Sequence, residues 1–201
     1  MRKKTLILGY ALLAGVGVLC AATNDAAPRN MLKNGDFENG SMYWKTPEWF
    51  KSAFAPVIDK SNNQGPGMGS LKATGEGNRQ CYFIQQIVIP RGCTKLRLSG
   101  YMKTAGFQNG WTAWIQGQCF SDIGPVGRGF PLITPPAKSD TDWTFYTMDI
   151  TLPPEAKYFR VILMTNGPGN DKPNAGKAWF DNISLTVIPE DESAPADVNC
   201  R

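Results

Sequence analysis

The sequence predicts an all-β domain, a β-sandwich jelly roll with two antiparallel sheets. Three observations carry that prediction. Strand-length runs that alternate apolar and polar residues recur from Leu71 onward. Turn-forming clusters separate them: Pro90-Arg91-Gly92, Gln108-Asn109-Gly110, Pro153-Pro154 and Asn166-Gly167-Pro168-Gly169-Asn170. No stretch after residue 30 shows the apolar period of an amphipathic helix. Many short strands at such intervals suit a sandwich or jelly roll.

Taken in order, the chain opens with a basic n-region, Arg2, Lys3 and Lys4, and an apolar stretch over residues 5–19. Cys20-Ala21-Ala22 offers a small-residue cleavage site, so residues 1–22 read as a signal peptide cut near Ala22. The product is expected to be secreted, periplasmic or extracellular. Leu19 stands where lipidation at Cys20 needs a small residue, which disfavours a lipoprotein. The apolar stretch is short for a spanning helix, and no later one is long enough. Residues 23–30 read as a linker, 31–188 as the domain and 189–201 as an acidic, Pro/Ala-rich tail.

Without residues 1–22 the charge balance is 18 basic against 17 acidic residues, so the basic excess of the whole chain belongs mostly to the leader. Nothing there argues for nucleic acid or an anionic membrane as partner. The chain holds no histidine. That removes the commonest general base, the usual partner of a Ser or Cys nucleophile, and the commonest transition-metal ligand. Four cysteines remain after cleavage, Cys81, Cys93, Cys119 and Cys200, with three possible pairings. Cys81–Cys119 with Cys93–Cys200 is favoured because it ties the tail to the domain; buried thiols are the alternative. The spacings do not resemble a zinc site.

Strands are expected at 71–74, 81–89, 95–104, 111–120, 144–152, 158–165 and 177–188, with long loops at 61–69 and 121–142. Alternation assigns faces within a strand. Leu96, Leu98, Gly100 and Met102 form a core set, leaving Arg97, Ser99, Tyr101 and Lys103 outside. Ala113, Ile115, Gly117 and Cys119 form another, leaving Thr112, Trp114, Gln116, Gln118 and Phe120. Tyr146, Met148, Ile150 and Leu152 form a third, leaving Thr147, Asp149 and Thr151.

Two segments far apart, Asn34-Gly35-Asp36-Phe37-Glu38 and Trp179-Phe180-Asp181-Asn182-Ile183-Ser184-Leu185, each set a carboxylate beside apolar residues. If the first and last strands are neighbours, Glu38 and Asp181 meet. Hard oxygens at such a crossover suit Ca²⁺.

The run Met31-Leu32-Lys33-Asn34-Gly35-Asp36-Phe37-Glu38 followed by Trp44 resembles the opening of the family 4, 9 and 22 carbohydrate-binding modules. The likeness continues through Gly69-Ser70-Leu71-Lys72-Ala73-Thr74-Gly75, Gln86-Ile87-Val88-Ile89-Pro90, the strand from Leu96 to Thr104, and Asp142-Trp143. It ends at Trp179-Phe180-Asp181-Asn182-Ile183-Ser184-Leu185, so it spans nearly all of 31–188. This resemblance implies a galactose-binding-domain-like jelly roll with one concave sheet. It also implies a structural Ca²⁺ held by Glu38 and Asp181, with the Asp36 and Lys72 carbonyls as further candidates.

Trp114, Gln116 and Gln118 put a large aromatic beside two amides on one outward row. An aromatic plane stacks on the C–H face of a sugar, and amides bond its hydroxyl rim. Tyr82, Gln86, Arg97 and Tyr101 are expected to join from neighbouring strands, and Trp49 to line a cleft rim. Trp44 is expected in the core. The expectation is a non-catalytic domain binding a polysaccharide or oligosaccharide. The alternatives are a surface or structural protein-interaction domain on the same scaffold and, further off, a sugar-cleaving sandwich enzyme. A glycosidase needs paired carboxylates, and Asp122, Asp140, Asp142 and Asp149 show no paired motif.

Overall fold

Alternation and turns together give two packed antiparallel sheets. The computed structural model describes residues 28–47, 57–65, 67, 70–74, 81–127, 131–167 and 176–189, and all statements below concern those residues. One sheet has five strands: β1 (Val57–Asp59), β2 (Ser70–Thr74), β9 (Lys177–Val187), β4 (Lys95–Ala105) and β7 (Thr141–Thr151), in that spatial order. The other has four: β3 (Cys81–Val88), β8 (Tyr158–Asn166), β5 (Thr112–Phe120) and β6 (Leu132–Ile133). All pairings are antiparallel.

The face assignments hold. Leu96, Leu98, Gly100 and Met102 of β4 and Ala113, Ile115, Gly117 and Cys119 of β5 are buried. They meet Phe83, Phe159, Leu163, Phe180 and Leu185 in one core between the sheets. Trp44 is in that core too, its ring 5.4 Å from Phe37. The described parts of the 121–142 segment pair with β5 instead of forming a plain loop. They lie along the open edge of β5 through β6 and the bridges at Ala137 and Pro125. That supplies main-chain partners an edge strand otherwise leaves bare.

The opening segment departs from expectation. Residues 31–43 form turns rather than a first strand. Asn34 and Phe37 take positive φ of 51° and 55°, which ends any extended run. The Asn34 side chain holds the turns by accepting from Asn39 N and donating to the Gly40 and Met42 carbonyls. The segment nevertheless lies beside the last strand. Met31 N donates to Leu185 O and Ile183 N to Gly35 O, both at 2.8 Å. On its other side Gln85 clasps the backbone of Lys33, accepting from its N–H and donating to its carbonyl. The chain's beginning therefore bridges the two sheets.

Gly35 makes this approach possible, because a Cβ there would run into the Ile183 carbonyl oxygen. Backbone cannot step aside cheaply, so Gly35→Ala is expected to cost about 3 kcal/mol. In a domain of this size that lowers Tm by roughly 10 °C. A thermal melt showing a fall under about 2 °C would refute the close approach.

The favoured Cys81–Cys119 bridge is corrected. No disulfide joins Cys81, Cys93 and Cys119. Cys81 lies opposite Thr165 on β8 and Cys119 opposite Phe159. Six residues of strand separate those positions, roughly 20 Å, and a disulfide spans a Cα distance under about 7 Å. Burial pushes the thiols up, Cys81 to about 11 and Cys119 to about 12, with Glu155 adding at Cys119. Cys200 falls outside the described residues, so the second pairing does too.

Candidate functional site

The antiparallel register lines up the outward side chains of β3, β8 and β5 in four rows. Tyr82, Met164 and Trp114 form the first, and Ile84, Ile162 and Gln116 the second. Gln86, Arg160 and Gln118 form the third, and Val88, Tyr158 and Phe120 the fourth. In the middle strand Met164 and Ile162 are buried although they lie on the outer side, while Arg160 and Tyr158 stay partly open.

Trp114 is half-buried and its Nε1–H donates to Gln116 Oε1 at 3.2 Å. That bond orients the indole and spends one end of the Gln116 amide. Gln116 is only 8% exposed, and its NH₂ has no protein acceptor among the described residues. The Gln118 side chain makes no hydrogen bond among the described residues either. Burying an amide without a partner costs roughly 1–3 kcal/mol, so such groups mark where a ligand or water completes the set. Burial also pushes the Tyr82 hydroxyl above its ordinary value.

Of the predicted residues, Trp114, Gln116, Gln118, Tyr82 and Gln86 share this face. Arg97 and Tyr101 do not. They sit on β4, in the other sheet, and their outward side is the opposite surface of the sandwich. There Arg97 pairs with Asp149 through Nε (2.7 Å) and Nη2 (3.0 Å), and Tyr101 packs on the exposed Phe145 at 5.1 Å. Trp49 lies outside the described residues. Sequence reasoning missed Arg160, Ile162 and Met164. Alternation over 158–165 sets Phe159, Val161, Leu163 and Thr165 inward and so exposes Arg160 as the one charge on an apolar strand.

Asp181 is 2% exposed at the crossover of first segment and last strand. A bulge between Ser99 and Tyr101 in the β4 pairing, with Asn182 at φ 50°, shapes β9 there. Asp181 Oδ2 accepts from Gln64 N (2.8 Å) and Oδ1 from Asn182 N (2.7 Å). Burial, with smaller contributions from the nearby Glu38 and Asp36, raises its carboxyl to about 6 despite those two bonds. Glu38 packs against Gly67, where any Cβ would strike its Oε1. Lys72 lies opposite Trp179, two residues along the ladder from Asp181, and its ammonium goes to Asp59 at 3.4 Å. Burial raises Asp59, but bonds from Ser61, Trp179 and Asn62 outweigh it and hold it well below the carboxylate range.

Among the described residues no three acidic or cysteine side chains converge into a metal cage. Asp181 and Glu38 are close enough to interact, and Gln64 is tied to Asp181 and Asn182; carboxylate and backbone oxygens of this kind are the donors a hard cation takes.

The four outward aspartates, Asp122, Asp140, Asp142 and Asp149, are each occupied. Asp122 bonds Lys157 and Tyr158, Asp142 bonds Lys103, Asp149 bonds Arg97, and Asp140 accepts from Gly106 N. Lys157 holds Asp122 below its usual range, the Trp143 backbone does so for Asp142, and Arg97 for Asp149. None of the three is raised as a general acid requires.

No family model matches the chain. An uncharacterised HTH-type transcriptional regulator of Bacillus subtilis is 26% identical over 168 residues, 79% of this chain and 53% of that protein. The chain thus spans about half the length of that relative. Among solved structures, the enzymatically active domain of tailspike protein 4 from bacteriophage CBA120 superposes with a TM-score of 0.60 at 15% identity. That match covers 79% of this chain and 21% of the tailspike chain. A family 61 carbohydrate-binding module, solved with β-1,4-galactotriose, gives 0.55 at 16% identity over 80% of this chain and 99% of its own. A family 16 module gives 0.53 at 22% identity over 78% and 99%. These likenesses show the fold, a jelly roll of the carbohydrate-binding-module type.

Proposed function

We propose that this chain is a carbohydrate-binding domain that holds a glycan across the outer face of the β3-β8-β5 sheet. One observation carries the reading: half-buried Trp114 stands beside the Gln116 and Gln118 amides, whose NH₂ groups have no acceptor among the described residues. In this reading the indole stacks on a sugar ring, and Gln116, Gln118 and Gln86 bond its hydroxyls. Sharing a fold with modules that bind galactotriose supports it without fixing the ligand. No step of catalysis is assigned. The structural role proposed for Ca²⁺ is to bind Asp181 and Glu38 where the opening segment meets β9. Export after cleavage near Ala22 belongs to the same proposal.

A glycan array on residues 23–201 tests it. Wild type is expected to bind at least one polysaccharide, and Tyr101→Ala to bind as well as wild type, because Tyr101 is on the far surface. Equal loss in Tyr101→Ala would move the site to the other sheet. Binding to no glycan would instead favour a protein-contact role. The Tyr101–Phe145 pair, with Phe145 53% exposed, is an aromatic surface suited to that role.

A further inference from the structure

Resting on that reading, we propose that the glycan taken by this face is acidic, a polyuronate, and that Arg160 binds its carboxylate. Arg160 lies in the middle strand of the face, between Gln86 and Gln118 in register. Its Nε and Nη2 both donate to Gln86 Oε1, at 3.1 and 2.7 Å, and its guanidinium covers the Phe120 ring at 4.1 Å. An amide and an aromatic ring hold it in place, and both are neutral. Two of its five N–H groups are committed, and three have no partner among the described residues. They form the outer edge of a fixed, planar fork.

The contrast with the rest of the molecule gives this weight. Arg97, Lys72, Lys103 and Lys157 each meet a carboxylate. Arg160 is partly buried and meets none. Desolvation without a counter-charge pushes it below the ordinary arginine value. A cation held rigid, half-desolvated and uncompensated is poised for an anion that arrives from outside. The acid nearest along the face, Asp122, is already bonded by Lys157 and Tyr158.

The groove continues past Gln86 with the same sign. A cavity of about 470 Å³ on that side of β3 is lined by Lys33 and Lys45 together with Tyr43, Ile84 and Gln86. Lys45 is fixed there by paired backbone bonds to Ile84, and Lys33 rests over the Tyr43 ring at 5.1 Å. Neither lysine has a carboxylate partner among the described residues. Stacking by Trp114, neutral amides and a line of unpaired cations together describe a polymer of sugar rings bearing carboxylates. A planar guanidinium edge takes a carboxylate through two parallel N–H···O bonds.

The test compares polygalacturonate with the same polymer after full methyl esterification, which removes charge and keeps the backbone. Titration calorimetry on residues 23–201 is expected to show at least tenfold tighter binding to the free acid. Raising salt from 0.05 to 0.5 M should erase most of that ratio. In Arg160→Gln the ratio should fall towards one, and in Lys33→Ala/Lys45→Ala, which leaves the sheet interior intact, it should fall about threefold. Tm read alongside separates lost binding from lost folding. Equal binding of both polymers by wild type, or an undiminished ratio in Arg160→Gln, overturns the proposal while leaving a neutral-glycan site standing. Preference for a sulfated glycan over polygalacturonate also overturns it. Binding to none of them removes the glycan reading itself.

Discussion

Trp114→Ala is expected to weaken glycan binding at least thirtyfold while moving Tm by only a few degrees. The ring is half-buried in a row with Met164 and Tyr82, so its inner side packs on the sheet and its outer side is open. Truncation removes a stacking surface and frees Gln116, whose Oε1 the indole N–H now holds. Aromatic anchors beside desolvated polar groups typically cost about 2 kcal/mol or more when cut to alanine, which is about thirtyfold in Kd. Trp114→Phe separates the two contributions. It keeps a ring and loses the bond to Gln116, so an intermediate loss of roughly fivefold is expected. Titration calorimetry with the best ligand from the array measures both variants. A Trp114→Ala protein that binds within threefold of wild type would sink the stacking role.

How much of this was legible beforehand differs by level. Alternation placed the inward and outward sets of β4, β5 and β7 correctly, because burial on one side forces a period of two. It says nothing about which sheet a strand joins. That is why Arg97 and Tyr101 were grouped with Trp114: all three point outward, but from sheets whose outer faces oppose each other. Sheet membership here follows a jelly-roll crossover, with β4 beside β9 and β5 beside β8, far apart in sequence. Alternation also exposes Arg160, but a sequence pattern does not show whether a charge has a counter-charge, and that is what sets Arg160 apart from Arg97. The Asn34-Gly35-Asp36 run read as a strand because of its apolar neighbours. Only the left-handed Asn34 and Phe37 show why it turns. Cysteine spacing carries no distance, so nothing before the register excluded the Cys81–Cys119 bridge.

The crossover between first segment and last strand sets up the second large effect. At neutral pH the protein stripped with chelator should melt well below the calcium-loaded protein, by about 5–10 °C, and Asp181→Asn should erase that difference. The reason lies in the sign of one group's linkage. The Asp181 carboxyl titrates at about 6 when folded, against 3.8 ordinarily. Below about pH 4 it is protonated in both states and costs nothing. Between 4 and 6 the unfolded chain ionises first, so folding loses stability as pH rises. Above 6 the full penalty is present, on the order of 3 kcal/mol. Metal-free protein should therefore gain stability from this group on acidification, opposite to Asp59 and Asp149, whose depressed carboxyls lose their contribution as pH falls below 4. The difference between wild type and Asp181→Asn isolates the one from the others. Asparagine keeps only one acceptor for the Gln64 and Asn182 N–H groups, which costs about 1 kcal/mol at every pH and cancels from the slope. Calcium needs the ionised carboxylate, so its increment in Tm should shrink between pH 7.5 and pH 5. A chelator-insensitive melt at pH 7.5 would leave Asp181 a buried carboxylate held by two backbone N–H groups, and the opening segment would then be held to the last strand by the Asn30, Met31 and Gly35 bonds to Ile183 and Leu185.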